Sequence, residues 1–513
     1  MIDTRDEQVW LSEIRAQVSC GDVQHAQVML TKALNDYPTS IELRRLQAGL
    51  FQQAGRSAEA EAIFHQLLAQ SPGDTTSAFS LARTLKEQGR VAKLASVLRD
   101  CLAHETNRGD ANLAIAGIEF LDDCERERDA AAIAQTAIAD IPDDPRLHAY
   151  AGMLEIQLGD FEQARQHYLF ALHDARAWEW HVPIGLSSAQ RYTTHDHPDF
   201  ALFSTGLQRD DLSDKARAEL HFAAGKARDD IGEYEVAARH FREGNSIAHR
   251  LTKWSRKSWR RAVEARLSTQ SVGHPPEHSD DFMPVFIVGM PRSGTTLLAE
   301  LLSRFPKTCN RGELPWIALL AQRPELVGNP DLAALARAAA IYASQSRRDD
   351  AEEARWFIDK QPLNFRYLDL MLAMFPHAKI VHCQRSPRDT ASSLWMQCFQ
   401  EEVQGYAYDF ADIALVMRDE EKLMSHWREL YPQSIYVVRY EDVVTAAEET
   451  INALGAWIGL PAHGPIALDP LSGGARTIST ASLWQARQPI NVRSIGRWKH
   501  YVPHVSELLR FSE

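Results

Sequence analysis

The 513-residue chain is poor in cysteine: six residues, at positions 20, 101, 124, 309, 383 and 398, and no CxxC pair among them. That argues against a disulfide framework or a cysteine zinc site and makes a reducing compartment the default. Long apolar runs are also missing; none approaches the roughly 20 residues that span a bilayer. The stretch MIDTRDEQVWLSEIR is charged throughout and has no apolar h-region, so no secretory signal is read there. A soluble, cytoplasmic protein is expected. Positive charge is not in excess either: 56 Lys+Arg face 69 Asp+Glu, giving a net charge of −13. A general binder of nucleic acid or anionic membrane is therefore disfavoured, although a local basic pocket is compatible with that balance. What is present is ordinary for a globular chain, with 45% hydrophobic and 24% charged residues. At roughly 150 residues per domain the length suggests about three domains.

The first half repeats. Gly21, Gly55 and Gly89 are evenly spaced, and Gly159 and Gly232 each follow after a little more than two further periods. Pro38 and Pro72 each lie half a period after a glycine. Alanine recurs five after the glycine at Ala26, Ala60, Ala164 and Ala237, and a large apolar residue nine after it at Leu30, Phe64, Tyr168 and Phe241. Pairs of short antiparallel helices explain the pattern. The glycine turns the chain, the alanine lets two backbones approach, the large residue fills the groove, and the proline closes the second helix. In the second unit Ala60, Ile63, Phe64, Leu67 and Leu68 share one helical face. The region resembles tetratricopeptide repeats over about residues 12–250. Leu94 replaces the alanine of the third unit, and 123–128 and 190–200 are degenerate.

Two polar features in this half read as solvated surface. His195-Asp196-His197 lacks a third ligand at helical spacing, and Asp229-Asp230 and similar acidic pairs are read as solvated helix faces. Residues 268–283, polar and carrying Gly273, Pro275 and Pro276 without periodicity, read as a linker. The expected organisation is a helical-repeat domain over 1–267, this linker, and a second domain over 284–513.

After the linker the pattern changes. Val285–Val288 is an apolar run fit for a buried parallel strand, and Leu297–Leu302 reads as a helix. Between them lie Gly289-Met290-Pro291-Arg292-Ser293-Gly294-Thr295-Thr296. Strand, glycine-bracketed loop and helix is an arrangement that aims backbone N–H groups at an anion. Against the phosphate-loop pattern GxxxxGK[ST], both glycines and Thr296 match, but Thr295 stands where the lysine belongs. A kinase or NTPase uses that lysine with Mg²⁺. Hydroxyls with Arg292 suit a donor carrying less charge on the transferred group.

The sequence PRSGTT resembles the 5′-phosphosulfate loop of sulfotransferases, which use 3′-phosphoadenylyl sulfate (PAPS). Lys379–Arg385 reads as a second strand, and the run that follows resembles the family's 3′-phosphate segment, whose arginine and serine fall on Arg385 and Ser393. Arg311-Gly312-Glu313, Asp359-Lys360-Gln361-Pro362, Tyr436–Asp442 with its Tyr440-Glu441-Asp442 element, and Ser482–Asn491 through Gly496-Arg497-Trp498 fit the same family. The resemblance spans about residues 284–501 and is greatest to tyrosylprotein-type and related bacterial sulfotransferases. It implies an α/β domain with a central parallel sheet, Glu313 as general base, Lys360 at the leaving oxygen, and Arg292 in the phosphosulfate loop. It further implies a donor site of Pro291, Arg292, Ser293, Gly294, Thr295, Thr296, Arg385, Ser393, Tyr440, Ser482 and Arg487, with PAPS as co-substrate and no metal.

The chain departs from the tyrosylprotein pattern in three places. Arg311 and Ile358-Asp359 stand where the family has its secretory cysteines; Leu314-Pro315-Trp316 replaces the arginines that receive acidic peptides; and Gln488, beside Arg487, replaces a lysine. The expected fold is thus an N-terminal helical solenoid followed by an α/β sulfotransferase domain. The expected reaction is sulfuryl transfer from PAPS to a hydroxyl, with peptide tyrosine, saccharide, lipid and small metabolite all open as acceptors. The repeat groove is expected to hold a protein or peptide. Two rival readings are an ATP-dependent kinase, opposed by Thr295 and the Arg385/Ser393 pair, and a scaffold whose nucleotide-binding domain is vestigial, opposed by the joint presence of Arg292, Glu313, Lys360, Arg385 and Ser393.

Overall fold

A computed structural model describes residues 6–268, 281–328, 330–351, 353–399, 402–461 and 490–512. Most of the expected linker, 269–280, and the donor-site candidates Ser482 and Arg487 lie outside the described residues.

The chain divides into two compact units. The first takes Met1–Leu147 with Arg348–Glu352; the second takes His148–Arg347 and Glu353–Glu513. The dividing point at 147 falls inside the helical repeats.

The first unit is a run of helical hairpins: α1 (Glu7–Ser19) with α2 (Val23–Asp36), α3 (Ile41–Gln53) with α4 (Ser57–Gln70), α5 (Thr75–Glu87) with α6 (Val91–Leu102), and α7 (Ala111–Asp122) with α8 (Glu127–Asp140). Gly21, Gly55 and Gly89 occupy the turns with φ of +80°, +72° and +71°, the left-handed region that glycine enters without steric cost. Ala26 and Ala60 are fully buried beneath Leu30 and Phe64, as the spacing requires. At the fourth turn the sequence has no glycine, and Glu125 takes the left-handed conformation instead, with φ +57°. It stands close to midway between Gly89 and Gly159, which accounts for the double interval there. The third unit's Leu94 is buried completely in the alanine's place. Asp349 caps α6, accepting from the Ala92 and Lys93 amides at 2.8 and 3.2 Å, and Arg348 pairs with Glu125 at 2.8 Å.

The second unit continues with α9 (Pro145–Leu158), α10 (Phe161–Ala171), α11 (Val182–Ser188), α12 (Pro198–Leu207), α13 (Asp214–Asp230), α14 (Tyr234–Leu251) and α15 (Arg256–Leu267). Gly159 and Gly232 again hold left-handed turns, with Ala164, Tyr168, Ala237 and Phe241 buried behind them. In His195-Asp196-His197, His195 Nδ1 meets Glu233 Oε1 at 2.9 Å and His197 caps α12; no group of three or more His, Cys, Asp or Glu placed to hold a metal occurs among the described residues.

The same unit holds a parallel sheet, five-stranded among the described residues, in the order β2-β3-β1-β4-β5. Its strands are β1 (Met283–Gly289), β2 (Thr308–Asn310), β3 (Trp356–Asp359), β4 (Lys379–Gln384) and β5 (Ile435–Arg439). β1 is central and pairs Val285 with Ile358 on one side and with Lys379 on the other. Helices cover both faces, which is why the central strands read as continuous apolar runs. These helices are α16 (Thr295–Leu302), α17 (Trp316–Leu320), α18 (Leu332–Ser346), α19 (Leu368–Met374), α20 (Pro387–Trp395), α21 (Phe410–Leu430), α22 (Tyr440–Thr445) and α23 (Ala447–Ile458). Val285 and Ile287 pack with Leu298, Leu302, Ile451 and Leu454. Phe286, of the opposite parity, meets the ring of Tyr342 at 5.6 Å. No helix among the described residues is long and apolar enough to cross a membrane.

Candidate active site

All five strands run the same way, so all five end on one edge, where ligands bind in open α/β sheets. In sheet order that edge carries Glu313 after β2, Lys360 after β3, Pro291–Thr296 after β1, Arg385 after β4 and Tyr440 after β5. The described candidate residues, widely scattered in sequence, are thereby brought to one edge.

The loop after β1 depends on its two glycines. Gly289 has φ +144°, and a Cβ there would lie 2.3 Å from the Cys383 carbonyl oxygen. Gly294 has φ +101°, and its Cβ would lie 2.3 Å from the Tyr440 ring. The expected donor-site residue Tyr440 therefore packs directly on the loop. Arg292, between the glycines, also has positive φ, +71°, an uncommon conformation for a residue with a side chain. This conformation sends its guanidinium to Ser393, whose Oγ accepts from Arg292 Nε at 3.0 Å.

Arg385 is held from three sides. Its Nη1 donates to the Arg292 carbonyl at 2.9 Å, its Nη2 donates to the Ser494 carbonyl at 2.6 Å, and its guanidinium lies 4.9 Å from the centre of the Tyr440 ring. Arg292 is pushed down to about 10, first by desolvation and then by the positive charges of Arg385 and Arg497. Like charges gathered in a partly dry site gain most from an anion. Two polar atoms, Ser293 Oγ and Arg385 Nε, are buried without a hydrogen-bond partner. Such atoms are costly unless a ligand satisfies them. The donor set thus fits an anionic ligand: three guanidiniums, two hydroxyls and a glycine-bracketed loop.

At the other end of the edge, Lys360 Nζ pairs with Glu313 Oε1. The lysine side chain is 2% exposed and the glutamate side chain 31% exposed. Lys360 is fixed by its backbone, whose N–H donates to the Gly312 carbonyl at 2.7 Å. Gly312 stands at φ +61°, and its own N–H donates to Asn310 Oδ1 at 3.0 Å. Arg311, preceding it, is buried and donates to the Ser346 carbonyl at 2.7 Å, so its role is to fasten the strand end.

Residue-level reading missed Asp389. Its two oxygens accept from the amides of Gly496 and Trp498 at 2.7 and 3.2 Å, seating residues 494–498 beside Arg385. In the sequence it looks like an acidic residue in a helix's first turn. The reading also misplaced Asp229, expected on a solvated face. It is buried, 9% exposed, with Arg497 on one oxygen and the Tyr501 hydroxyl at 2.6 Å on the other. Its partners lie far downstream in the chain, beyond any local pattern.

Residues 284–464 match the Sulfotransferase family. The chain is 31% identical over 254 residues to an uncharacterized protein of Aquifex aeolicus (strain VF5), a match covering 46% of this chain and 32% of that protein. It therefore spans about a third of that relative's length. It is 23% identical over 270 residues to protein-tyrosine sulfotransferase 1 of Danio rerio, covering 47% of this chain and 73% of that one. Among solved structures it is similar to the sulfotransferase domain of the Synechococcus PCC 7002 olefin synthase, with a TM-score of 0.34, 20% identity, and coverage of 47% of this chain and 98% of that one. The chain thus joins an N-terminal helical-repeat region to a region with a parallel sheet, five-stranded among the described residues, and the match to the Sulfotransferase family falls on that second region, over residues 284–464.

Proposed function

We propose that the protein transfers a sulfuryl group from PAPS to a hydroxyl acceptor. The observation that supports this most is the order along the sheet edge, with a carboxylate–lysine pair at one end and the arginine-lined loop, lacking its NTPase lysine, beside it. The donor would lie on Pro291–Thr296 with its 3′-phosphate toward Arg385 and Ser393, a bidentate arginine fork being the natural partner of a phosphate. The acceptor hydroxyl would approach the solvent-facing side of Glu313. As the new O–S bond forms, its proton passes to the Glu313 carboxylate. The bond between sulfur and the bridging oxygen breaks, and the electron pair stays on the leaving phosphate. Lys360, fixed and charged, stabilises that developing charge. No metal is needed in this scheme.

Leu314-Pro315-Trp316, directly after the base, offers no arginine for an acidic peptide, so a protein tyrosine is the acceptor this reading favours least. The helical repeats would select or position the acceptor, or a protein that carries it, and the scattered free cysteines suit a reducing, cytoplasmic setting.

The test is transfer of label from radioactive PAPS to a cell extract by wild-type protein and by Glu313→Gln. Turnover is expected to fall about 10²–10⁴-fold in the variant, which keeps size and hydrogen bonding but cannot accept the proton. Lys360 is buried and would lose its carboxylate partner, so the variant's melting temperature must be measured alongside. A folded Glu313→Gln protein within threefold of wild type removes Glu313 from the mechanism.

A further inference from the structure

The anion-binding loops belong to the sheet edge, but the segment packed beside them is held by the helical repeats. Residues 494–498 lie against Arg385 through the Ser494 carbonyl and are pinned by Asp389. The next contact is made by Asp229 at the C-terminal end of α13, which binds Arg497 and Tyr501 together. Arg497 thus sits between the two amides, of Gly496 and Trp498, that Asp389 binds, three residues after the carbonyl that accepts from Arg385. The neighbouring helix, α14, grips the other support of the site. Asn245 Nδ2 donates to the Trp395 carbonyl at 2.8 Å, and the Phe241 ring meets the Trp395 ring at 5.9 Å. Trp395 ends α20, the helix that carries Asp389 and Ser393.

We propose that Asp229 is a positioning residue of the donor site, acting through Arg497 and Tyr501, so that the repeat hairpin α13–α14 is part of the nucleotide-binding machinery. This rests on the reading of that edge as the donor site. The physical reason is preorganisation. Three guanidiniums repel one another before an anion arrives, and an untethered Arg497 would turn toward water. Asp229 offsets one of those charges and fixes Arg497 within the segment whose Ser494 carbonyl accepts from Arg385. The ordering cost is then met in folding rather than in binding.

The molecule supplies its own control. Asp199 on α12 is also buried, and it accepts from Arg165 at 2.6 and 2.7 Å and from the Tyr192 hydroxyl at 2.7 Å. It is the same aspartate–arginine–tyrosine chemistry confined to the repeats. Affinity for adenosine 3′,5′-bisphosphate would be measured by calorimetry on the full chain, with Tm recorded for each variant. Asp229→Asn is expected to raise Kd about tenfold, the scale of one charged hydrogen bond, and Tyr501→Phe, a milder change, about threefold. Asp199→Asn should lower Tm and leave Kd within about twofold, since that aspartate touches nothing of the site. Arg497→Gln should raise Kd, and adding Asp229→Asn to it should raise Kd by no more than about a further threefold, the share carried by Tyr501, because the two residues share the Arg497 contact. Unchanged Kd in Asp229→Asn and Tyr501→Phe, additive effects in the double variant, or an equal rise in Asp199→Asn would overturn the proposal. Wild-type protein that fails to bind the bisphosphate would overturn the donor reading and this one with it.

Discussion

The first hairpins and the α13–α14 hairpin obey the same local rules and put them to different uses. Gly55 and Gly232 make the same left-handed turn, Ala60 and Ala237 the same close approach, and Phe64 and Phe241 fill the same groove. In the first unit the polar residues bind from one repeat to the next: Arg45 to Asp74 at 2.8 Å, and Lys93 to Glu61 at 2.7 Å. In α13–α14 they reach into the α/β domain: Asp229 to Arg497 and Tyr501, and Asn245 to Trp395. α15 adds Trp259, whose indole N–H donates to Asp419 at 2.9 Å. The periodic residues make a repeat; a few residues outside the period decide what that repeat supports.

Phenylalanine truncation breaks the comparison most strongly. Phe64→Ala and Phe241→Ala should each cost about 3–5 kcal/mol in denaturant unfolding, because both rings are buried. Only Phe241→Ala, which also removes the contact with Trp395, should weaken bisphosphate binding in calorimetry. Equal affinity in the two variants would erase the distinction.

Asn245→Ala should have a smaller effect. It removes the donor to Trp395 and should cost about 1–3 kcal/mol of stability, with a measurable rise in nucleotide Kd. A stability loss without any change in affinity would mean that α20 keeps its place unaided.

A third comparison uses histidines that recur with the repeat. His148 and His167 face each other at 2.9 Å, and their counterparts further along the repeats, His221 and His240, at 3.2 Å. Burial, then the charge of His221, pushes His240 down to about 4 from an ordinary 6.5. Between those pH values the unfolded chain takes up a proton that the folded chain does not, so stability falls as pH drops through that window. His240→Gln should flatten that part of a stability–pH curve; an unchanged slope would show that the titration lies elsewhere.

The smallest effect concerns the turns. A Cβ at Gly55 meets nothing within 4 Å, so Gly55→Ala should cost only the backbone strain of positive φ, about 1–2 kcal/mol in thermal unfolding. A loss well beyond that would mean the glycine does more than turn the chain.

Much of this was legible in the sequence because the signals are local. The regular glycine spacing fixes helix hairpins through turn and packing chemistry, and Gly289, Gly294 and the apolar run before them fix a strand–loop–helix. Glu313, Lys360 and Arg385 were found by resemblance and are brought to one edge by five parallel strands. The strand order that seats Lys360 between Glu313 and the loop is not written in any local pattern. Glu125 escaped notice because a glutamate in a left-handed turn gives no compositional signal. Asp229 was misread because helical periodicity tells which face a residue occupies, but not that residues 497 and 501 will cover it. The consequence reaches experiment: a chain begun near Phe282 would lose Asp229, Asn245 and Trp259, so its failure would report missing supports for the sheet domain as much as a missing groove.

The most direct test of the central claim is calorimetric titration of the full chain with adenosine 3′,5′-bisphosphate and with ADP, in chelator and without Mg²⁺. The arrangement of Arg292, Arg385 and Ser393 around a loop with Thr295 in the lysine position predicts clearly tighter binding of the bisphosphate, most of that preference vanishing in Arg385→Ala. Equal affinity for ADP, or binding that requires Mg²⁺, would contradict it.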